Sequence, residues 1–308
     1  MNKSIVVIPS NGSMKKIAVV GSGTMGNGIA HLFAQHGHRV VLIDIHQERL
    51  TIAIETITKN LSRQVEKGFI SSDQKDAAIE NITTSTLLSS GVSEAELVVE
   101  AATENEALKL DIFRSLDLHA RADAVLSTNT SAISITRIAS ATKRPEKIIG
   151  MHFMNPVPLM KLVEVIRGYA TSDEVTNVVM QLARSLGKEP VEVKDYPGFV
   201  ANRILMPMIN EAIQTLHEGV SGVREIDQVM KLGMSHPMGP LQLADFIGLD
   251  VCHSILKVLY DGFGNPKYAP SPLLVNMVAA GHYGVKSGSG FYEYTAGSKE
   301  LVVSRWFR

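Results

Sequence analysis

The sequence is poor in the residues that build covalent and metal-bound scaffolds. Cys252 is the only cysteine among 308 residues, which excludes an internal disulfide and a thiolate metal cluster. The ten histidines show no H-x-x-x-H or H-E-x-x-H spacing, and the acidic residues are scattered, so we expect no metal site. A single cysteine is typical of a reducing compartment, and we expect a cytoplasmic protein.

An excess of one charge and long apolar runs are also missing. The chain has 30 Lys and Arg against 31 Asp and Glu, so no basic field is present to bind nucleic acid or an anionic membrane. No run of about 18 apolar residues occurs, so we expect no membrane-spanning helix. The apolar run Ile5–Ile8 ends at Pro9 and is too short for a signal peptide. Residues 1–14 are therefore interpreted as a leader of unknown use.

The chain is long enough for two domains, because 45% of its residues are apolar. Up to Tyr196 short β-branched runs alternate with segments of helical periodicity, which predicts an α/β domain with a Rossmann-like, doubly wound, mostly parallel sheet over residues 15–196. The predicted strands are Ile17–Val20, Val40–Ile43, Leu97–Val99, Ala124–Leu126, Ile148–Met151, Leu162–Ile166 and Val191–Val193.

The pattern changes after Asp195-Tyr196-Pro197-Gly198, where helical segments separated by Gly and Pro predict an all-α second domain over residues 197–308. Apolar residues at helical spacing predict that a long buried helix opens this domain: Val200, Ile204, Met208, Ile209, Ile213 and Leu216. Tyr196, Met206 and Met208 are interpreted as core residues.

A glycine-rich motif lies between the first predicted strand and the following helix. Gly21-Ser22-Gly23-Thr24-Met25-Gly26 is G-x-G-x-x-G, in which the glycines allow a tight turn, a close approach to a pyrophosphate and close helix packing. Asp44 ends the second strand, where a carboxylate binds ribose hydroxyls and repels a 2′-phosphate, which favours NAD over NADP. Arg39 or Arg49 would help to bind a 2′-phosphate. FAD is a further dinucleotide that such a loop can bind, but no second nucleotide segment supports it.

Candidate catalytic residues follow the later strands. His152 ends one predicted strand, where histidine is suited to exchange a proton near neutral pH. Glu164 is charged within an apolar strand, so a partner such as His152 would offset the cost of its burial. Ser127–Ser131 brings hydroxyl and amide groups to the same sheet edge. On position alone, His152 could instead cap a turn, and Glu164 could face solvent. Asn202, on the predicted helix that follows Pro197-Gly198, could be an ordinary helix residue.

Six segments of this sequence resemble motifs of the L-3-hydroxyacyl-CoA dehydrogenase family and occur in the same order as in that family. The resemblance is in particular to its short-chain, bacterial 3-hydroxybutyryl-CoA members. The six segments are Gly21–Gly28, Ser127–Ser131, His152–Pro158, Lys161–Ile166, Pro197–Pro207 and Gly239–Asp245, and the resemblance runs from about Lys16 to Tyr294. It implies an NAD-binding domain followed by a helical domain that forms a homodimer, and an acyl-CoA substrate.

The resemblance also implies roles for individual residues. It assigns His152 as the catalytic base and Glu164 as its partner, and it places Ser131 and Asn202 against the reacting part of the substrate. The residues implied on the cofactor side are Gly21, Gly23, Thr24, Met25, Gly26, Asp44, Glu104, Lys109 and Asn129. Lys59 and Lys67 are candidates for binding the CoA moiety.

The expected reaction is oxidation of a 3-hydroxyacyl-CoA to a 3-oxoacyl-CoA with NAD, and its reverse. A competing enzymatic function is that of a dehydrogenase of a free hydroxy acid or sugar acid, which CoA dependence would distinguish. Two non-enzymatic functions are compatible with the same fold: a structural protein similar to lens crystallins, and an NAD-sensing regulator. Neither of these functions requires the set of His152, Glu164, Ser131 and Asn202.

Overall fold

The computed structural model describes residues 14–295, 297 and 300–308. The expected leader therefore lies outside the described residues, apart from Met14, which is buried in the adjoining core. The chain divides into two compact units, Met1–Tyr196 and Pro197–Arg308, and each has a hydrophobic core of its own. Among the described residues no helix is long and apolar enough to cross a membrane.

The first unit is built on an eight-stranded sheet in the order β3-β2-β1-β4-β5-β6-β7-β8. Its strands are β1 (Lys16–Val20), β2 (Arg39–Ile43), β3 (Ile82–Ser85), β4 (Leu97–Glu100), β5 (Val125–Thr128), β6 (Ile148–Phe153), β7 (Leu162–Arg167) and β8 (Glu189–Lys194). Its helices are α1 (Thr24–Gln35), α2 (Gln47–Glu66), α3 (Ser72–Glu80), α4 (Leu88–Val92), α5 (Glu106–His119), α6 (Ile135–Ala139) and α7 (Asp173–Ser185).

Burial explains why the central strands begin with apolar residues and carry polar side chains only toward their carboxyl ends. All residues of β4, β5 and β6 are buried, as expected for strands of a parallel sheet that is covered on both faces. Strand order reverses between β1 and β4, as in a doubly wound sheet. The Rossmann-like, mostly parallel sheet predicted from the sequence is confirmed.

One pair of strands departs from the parallel arrangement. β6 and β7 are antiparallel, whereas every other neighbouring pair in this sheet is parallel. Only residues 154–161 connect β6 and β7, and a parallel crossover needs a dozen or more residues. The short connection therefore reverses the chain and places β7 beside β6 in opposite direction.

Three elements of the first unit, α3, β3 and α4, are absent from the elements predicted from the sequence. The helical segments that the sequence predicts in this unit are the one that ends at about Gln35, Glu48–Glu66, Asn105–His119, Ile133–Ala139 and Asp173–Leu186. Helix α3 begins with a capping box, in which the Ser71 hydroxyl accepts from the Gln74 amide and the Gln74 side chain accepts from the Ser71 amide. Strand β3 is short and half exposed at the sheet edge, so it lacks the apolar run that identifies the buried strands.

In its described residues the second unit is helical, as predicted, apart from one short antiparallel pair of strands. Its helices are α8 (Ala201–His217), α9 (Val223–Gly233), α10 (Pro240–Ile247), α11 (Leu249–Phe263) and α12 (Pro272–Ala279), and its strands are β9 (Tyr292–Glu293) and β10 (Val302–Val303). The pairing of β9 with β10 folds the chain end back onto this unit, where Phe307 packs against Phe291.

Helix α8 opens the second unit as predicted, but its buried face differs from the predicted one. Met206, Ile209 and Ile213 are buried in the core, whereas Val200 is 49% and Ile204 68% exposed. Two apolar stripes with helical spacing overlap in this segment, and periodicity alone does not show which one packs inside the unit. Tyr196 is 58% exposed, so its interpretation as a core residue is wrong.

Candidate active site

The glycine-rich loop joins β1 to α1 at the carboxyl edge of the sheet. Gly21 has a φ of +99°, which favours glycine, and a Cβ on Gly26 would lie 1.7 Å from the Gly21 carbonyl oxygen. A Cβ on Gly23 would instead meet nothing within 4 Å. Gly23 is also the N-cap of α1 and provides no side-chain cap, so the first amides of the helix remain available to an anion. This loop fits a dinucleotide pyrophosphate.

Asp44 lies next to this loop, directly after β2. Its Oδ2 accepts from the Ser22 amide at 3.0 Å and from the Ser22 hydroxyl at 2.8 Å, and its Oδ1 accepts from the His46 amide at 3.1 Å. Partial burial acts to raise the pKa of Asp44, but these hydrogen bonds outweigh it and hold the pKa below its usual range. Asp44 is therefore ionised at neutral pH beside the turn that would bind the dinucleotide.

A cavity of about 480 Å³ opens beside the loop. Its walls come from the glycine-rich loop, α1, α2 and the connection after β6: Ser22, Gly23, Thr24, Asn27, Gly28, Arg49, Ile52, Ala53, Thr56, Asn60 and Asn155–Pro158. Lys59 and Lys67 are exposed and are not part of this wall. Asn27 and Asn60 are lining residues that the sequence did not single out. The spacing of residues 49, 52, 53, 56 and 60 along one helix face was the available signal.

His152 and Glu164 form a hydrogen-bonded pair across β6 and β7. The antiparallel register puts them directly opposite each other, and His152 Nδ1 lies 2.8 Å from Glu164 Oε2. His152 is 8% and Glu164 2% exposed. A carboxylate can only accept, so the Nδ1–H of His152 donates to it, and Nε2 is the basic nitrogen of the neutral ring. The pair can therefore take up a proton on Nε2 and stabilise the resulting charge.

Asn129 follows β5 and reaches toward the end of β6. Its backbone amide donates to the Glu100 carbonyl oxygen at 2.7 Å, and its Oδ1 accepts from the Phe153 amide at 2.9 Å. These contacts place Asn129 between the carboxyl ends of β4 and β6. Phe153, whose amide donates to Asn129, directly follows His152 in β6. The structure thus brings Asn129 and His152 to the same edge of the sheet.

Glu104 and Lys109 belong to a charged cluster at this edge. Lys109 is 1% exposed, and its ammonium lies 2.7 Å from Oε1 of the buried Glu100 and 3.5 Å from Oε2 of Glu104. Thr128 donates to the second oxygen of Glu100 at 2.6 Å. Glu100 is the residue of this cluster that could not be identified from the sequence, because its partner Lys109 comes from the following helix, α5.

Glu104 also holds the loop that carries Ser131. Its Oε1 accepts from the Thr130 hydroxyl, from the Ser131 amide at 2.9 Å and hydroxyl at 3.3 Å, and from the Ala132 amide at 3.2 Å. The charge of Lys109 supports this carboxylate. The cluster therefore positions Ser131 relative to the ends of β4 and β5.

Asn202 is in the second unit, in the first turn of α8. It is 9% exposed, and its backbone amide donates to the Gly198 carbonyl oxygen at 3.1 Å. Gly198 has a φ of +71°, and a Cβ there would lie 2.6 Å from a methyl carbon of Leu259. The Pro-Gly sequence thus allows the chain to turn sharply into α8 and fixes the start of the helix on which Asn202 lies.

A Rossmann-type sheet, a dinucleotide loop and a buried histidine–carboxylate pair at the same edge define an oxidoreductase that uses a nicotinamide cofactor. The family model described as the NAD-binding domain of 3-hydroxyacyl-CoA dehydrogenase matches residues 16–196, and that of the C-terminal domain matches residues 198–294. The chain belongs to the 3-hydroxyacyl-CoA dehydrogenase family.

Similar proteins cover nearly the whole chain. A probable 3-hydroxybutyryl-CoA dehydrogenase of Bacillus subtilis is 51% identical over 281 residues, which are 91% of this chain and 98% of the relative. A 3-hydroxybutyryl-CoA dehydrogenase of Clostridioides difficile is 48% identical, with 91% and 99% covered. The crystal structure of (S)-3-hydroxybutyryl-CoA dehydrogenase from Ralstonia eutropha superposes with a TM-score of 0.89 at 46% identity, covering 92% of this chain and 100% of that one.

Proposed function

We propose that this chain interconverts (S)-3-hydroxyacyl-CoA and 3-oxoacyl-CoA, with short-chain 3-hydroxybutyryl-CoA as its substrate and NAD as its cofactor. The observation that carries the proposal is the His152–Glu164 pair at 2.8 Å, located at the same sheet edge as the dinucleotide loop. The relatives named for 3-hydroxybutyryl-CoA support the substrate. The ionised Asp44 supports NAD over NADP, because it disfavours a second negative group at the ribose.

The proton is handled by His152. In the oxidation, Nε2 of His152 accepts the proton of the 3-hydroxyl group, and Glu164 stabilises the imidazolium that forms. NAD, when bound, supplies the acceptor for the hydride that leaves C3. In the reduction, the imidazolium returns its proton to the 3-oxygen.

The remaining residues orient the reactants. We assign contact with the 3-oxygen to Ser131 and Asn202, and contact with the cofactor to the glycine-rich loop, Asp44, Asn129, Glu104 and Lys109. Lys109 acts through Glu104 and Glu100, since its ammonium is buried against both. Lys59 and Lys67 are exposed on and after α2, where they can attract the phosphates of CoA. We also propose a cytoplasmic homodimer.

The test is the loss of absorbance at 340 nm when the purified protein is mixed with acetoacetyl-CoA and NADH. Parallel reactions contain NADPH in place of NADH, or free acetoacetate in place of the CoA ester. We expect rapid oxidation with the CoA ester and NADH only. Activity with free acetoacetate would favour a hydroxy-acid dehydrogenase, and binding of NADH without turnover of any substrate would favour a non-catalytic role.

A further inference from the structure

The residue between the first two glycines of the loop, Ser22, uses both of its donors on one carboxylate oxygen. Its amide lies 3.0 Å and its hydroxyl oxygen 2.8 Å from Oδ2 of Asp44, and the residue is 5% exposed. The His46 amide donates to the other oxygen, Oδ1, at 3.1 Å. The Asp44 carboxylate is therefore held from both sides, by the loop after β1 and by the chain after β2.

A substitution of Ser22 can remove its hydroxyl donor but not its backbone amide donor. Any non-proline residue at this position would supply the backbone amide, but only a hydroxyl side chain supplies the second donor. Hydrogen bonds to an ionised acceptor are stronger than those between neutral groups. The two bonds from Ser22 to Asp44 would both be lost if the carboxylate rotated away from the loop. The serine hydroxyl therefore restricts the orientation of Asp44 in a way that alanine could not.

We propose that Ser22 is the positioning residue that fixes the Asp44 carboxylate toward the ribose of the cofactor and thereby sets the preference for NAD over NADP. A carboxylate held in place offers its remaining lone pairs to the ribose hydroxyls and faces any 2′-phosphate with a fixed negative charge. A carboxylate that can turn away binds the hydroxyls less well and repels the phosphate less. Arg49, the cation whose charge acts on Asp44, then becomes available to the phosphate. This inference rests on the proposed use of NAD.

The experiment measures the dissociation constants of NADH and NADPH by isothermal titration calorimetry at one pH and ionic strength, independently of turnover. The variants are Ser22→Ala, which removes the hydroxyl, and Ser22→Thr, which keeps it. Thr176→Val is the matched control: Thr176 is 2% exposed in α7, and its hydroxyl donates to the Ser172 carbonyl oxygen at 2.9 Å, away from Asp44.

We expect Ser22→Ala to weaken NADH binding about tenfold, the effect of losing one hydrogen bond to a charged group, while NADPH binding is unchanged or tighter. Ser22→Thr and Thr176→Val should keep the wild-type ratio of the two constants. If Ser22→Ala changes both nucleotides by the same factor, or neither, the role of Ser22 is refuted while the proposed function stands. If the wild-type protein binds neither nucleotide, the proposed function itself fails.

Discussion

His152 and Glu164 are twelve residues apart in the chain, but they face each other on adjacent strands, buried from solvent. A buried carboxylate is costly without a partner, and the Nδ1–H of His152 provides one. When Nε2 takes up a proton, the pair becomes an ion pair in a region of low dielectric, where the charge of Glu164 acts strongly on the imidazolium. The same contact thus gives the buried carboxylate a partner and holds the ring of His152 in place for proton transfer.

This coupling predicts the effect of Glu164→Gln. The amide keeps the size of the side chain but removes the negative charge, so the imidazolium is less stable and kcat should fall by about 10²-fold. NADH binding should change little. Steady-state kinetics with acetoacetyl-CoA across pH 6–9 would measure this, with the exposed Glu189→Gln on β8 as control. A wild-type kcat and pH profile in Glu164→Gln would contradict the coupling.

The single residues that could be predicted are those whose type conflicts with their surroundings. A glutamate inside an apolar strand implies a buried partner, and a histidine at a strand end is a candidate for that partner, so Glu164 and His152 could be paired from the sequence. Glu100 could not be singled out in this way, because its partner Lys109 is brought to it by α5 packing on the sheet. Its contact is a property of the fold.

Among the elements, the connection between β6 and β7 determines the geometry of the pair. The regular alternation of strands and helices predicted a parallel sheet, and that holds for every pair except this one. A parallel β7 would need a crossover of a dozen or more residues, which residues 154–161 cannot supply. The length of the connection was readable in the sequence, but the resulting cross-strand register was not.

The turn between β1 and α1 gives a second prediction, Gly23→Ala. Gly23 has a φ of −63°, which alanine tolerates, and an added Cβ meets nothing in the protein. Stability should therefore change by less than about 1 kcal/mol, because alanine is a poorer N-cap than glycine but restricts the unfolded chain more. The methyl group would occupy the space where the pyrophosphate approaches, so the dissociation constant for NADH should rise at least tenfold, about 1.4 kcal/mol.

Calorimetric titration and the melting temperature would separate these two effects. Gly26→Ala is the matched comparison, because its Cβ would lie 1.7 Å from the Gly21 carbonyl oxygen and should destabilise the protein directly. Unchanged NADH affinity in a stable Gly23→Ala protein would show that the pyrophosphate does not bind over this glycine.

At the scale of the whole molecule, the second unit depends on two buried carboxylates. Asp245 accepts from the Phe291 and Tyr292 amides and from the Tyr294 hydroxyl, at 2.9–3.0 Å. Asp227 accepts from the Tyr292 hydroxyl at 2.7 Å and from the first amides of α10, those of Leu241 and Gln242. These bonds connect α9 and α10 to the segment that precedes and forms β9. Neither aspartate was singled out from the sequence, because the donors are mostly backbone amides distant in the chain.

The burial of Asp245 predicts an unusual pH dependence of stability. Burial raises its pKa to about 6, from 3.8, against the hydrogen bonds that lower it. Since the folded state holds the proton more tightly, the stability that Asp245 contributes is fully present below about pH 4 and is lost as the pH rises through about 6. The shift corresponds to roughly 3 kcal/mol.

Asp245→Asn does not titrate and isolates this contribution. The melting temperature of the wild type, relative to that of the variant, should increase as the pH falls from 7 to 4.5. Differential scanning calorimetry at several pH values measures the difference directly. A difference that is constant over this range would mean that Asp245 is ionised in the folded protein throughout.

The central claim is that His152 transfers the proton in a nicotinamide-dependent reaction of an acyl-CoA, and His152→Ala tests it most directly. With acetoacetyl-CoA and NADH we expect kcat to fall by about 10³-fold, within the usual range for loss of a general acid–base, while the dissociation constant for NADH stays within about twofold of the wild-type value. His119→Ala, an exposed histidine in the last turn of α5, should be fully active. A His152→Ala protein that retains wild-type kcat would contradict the account.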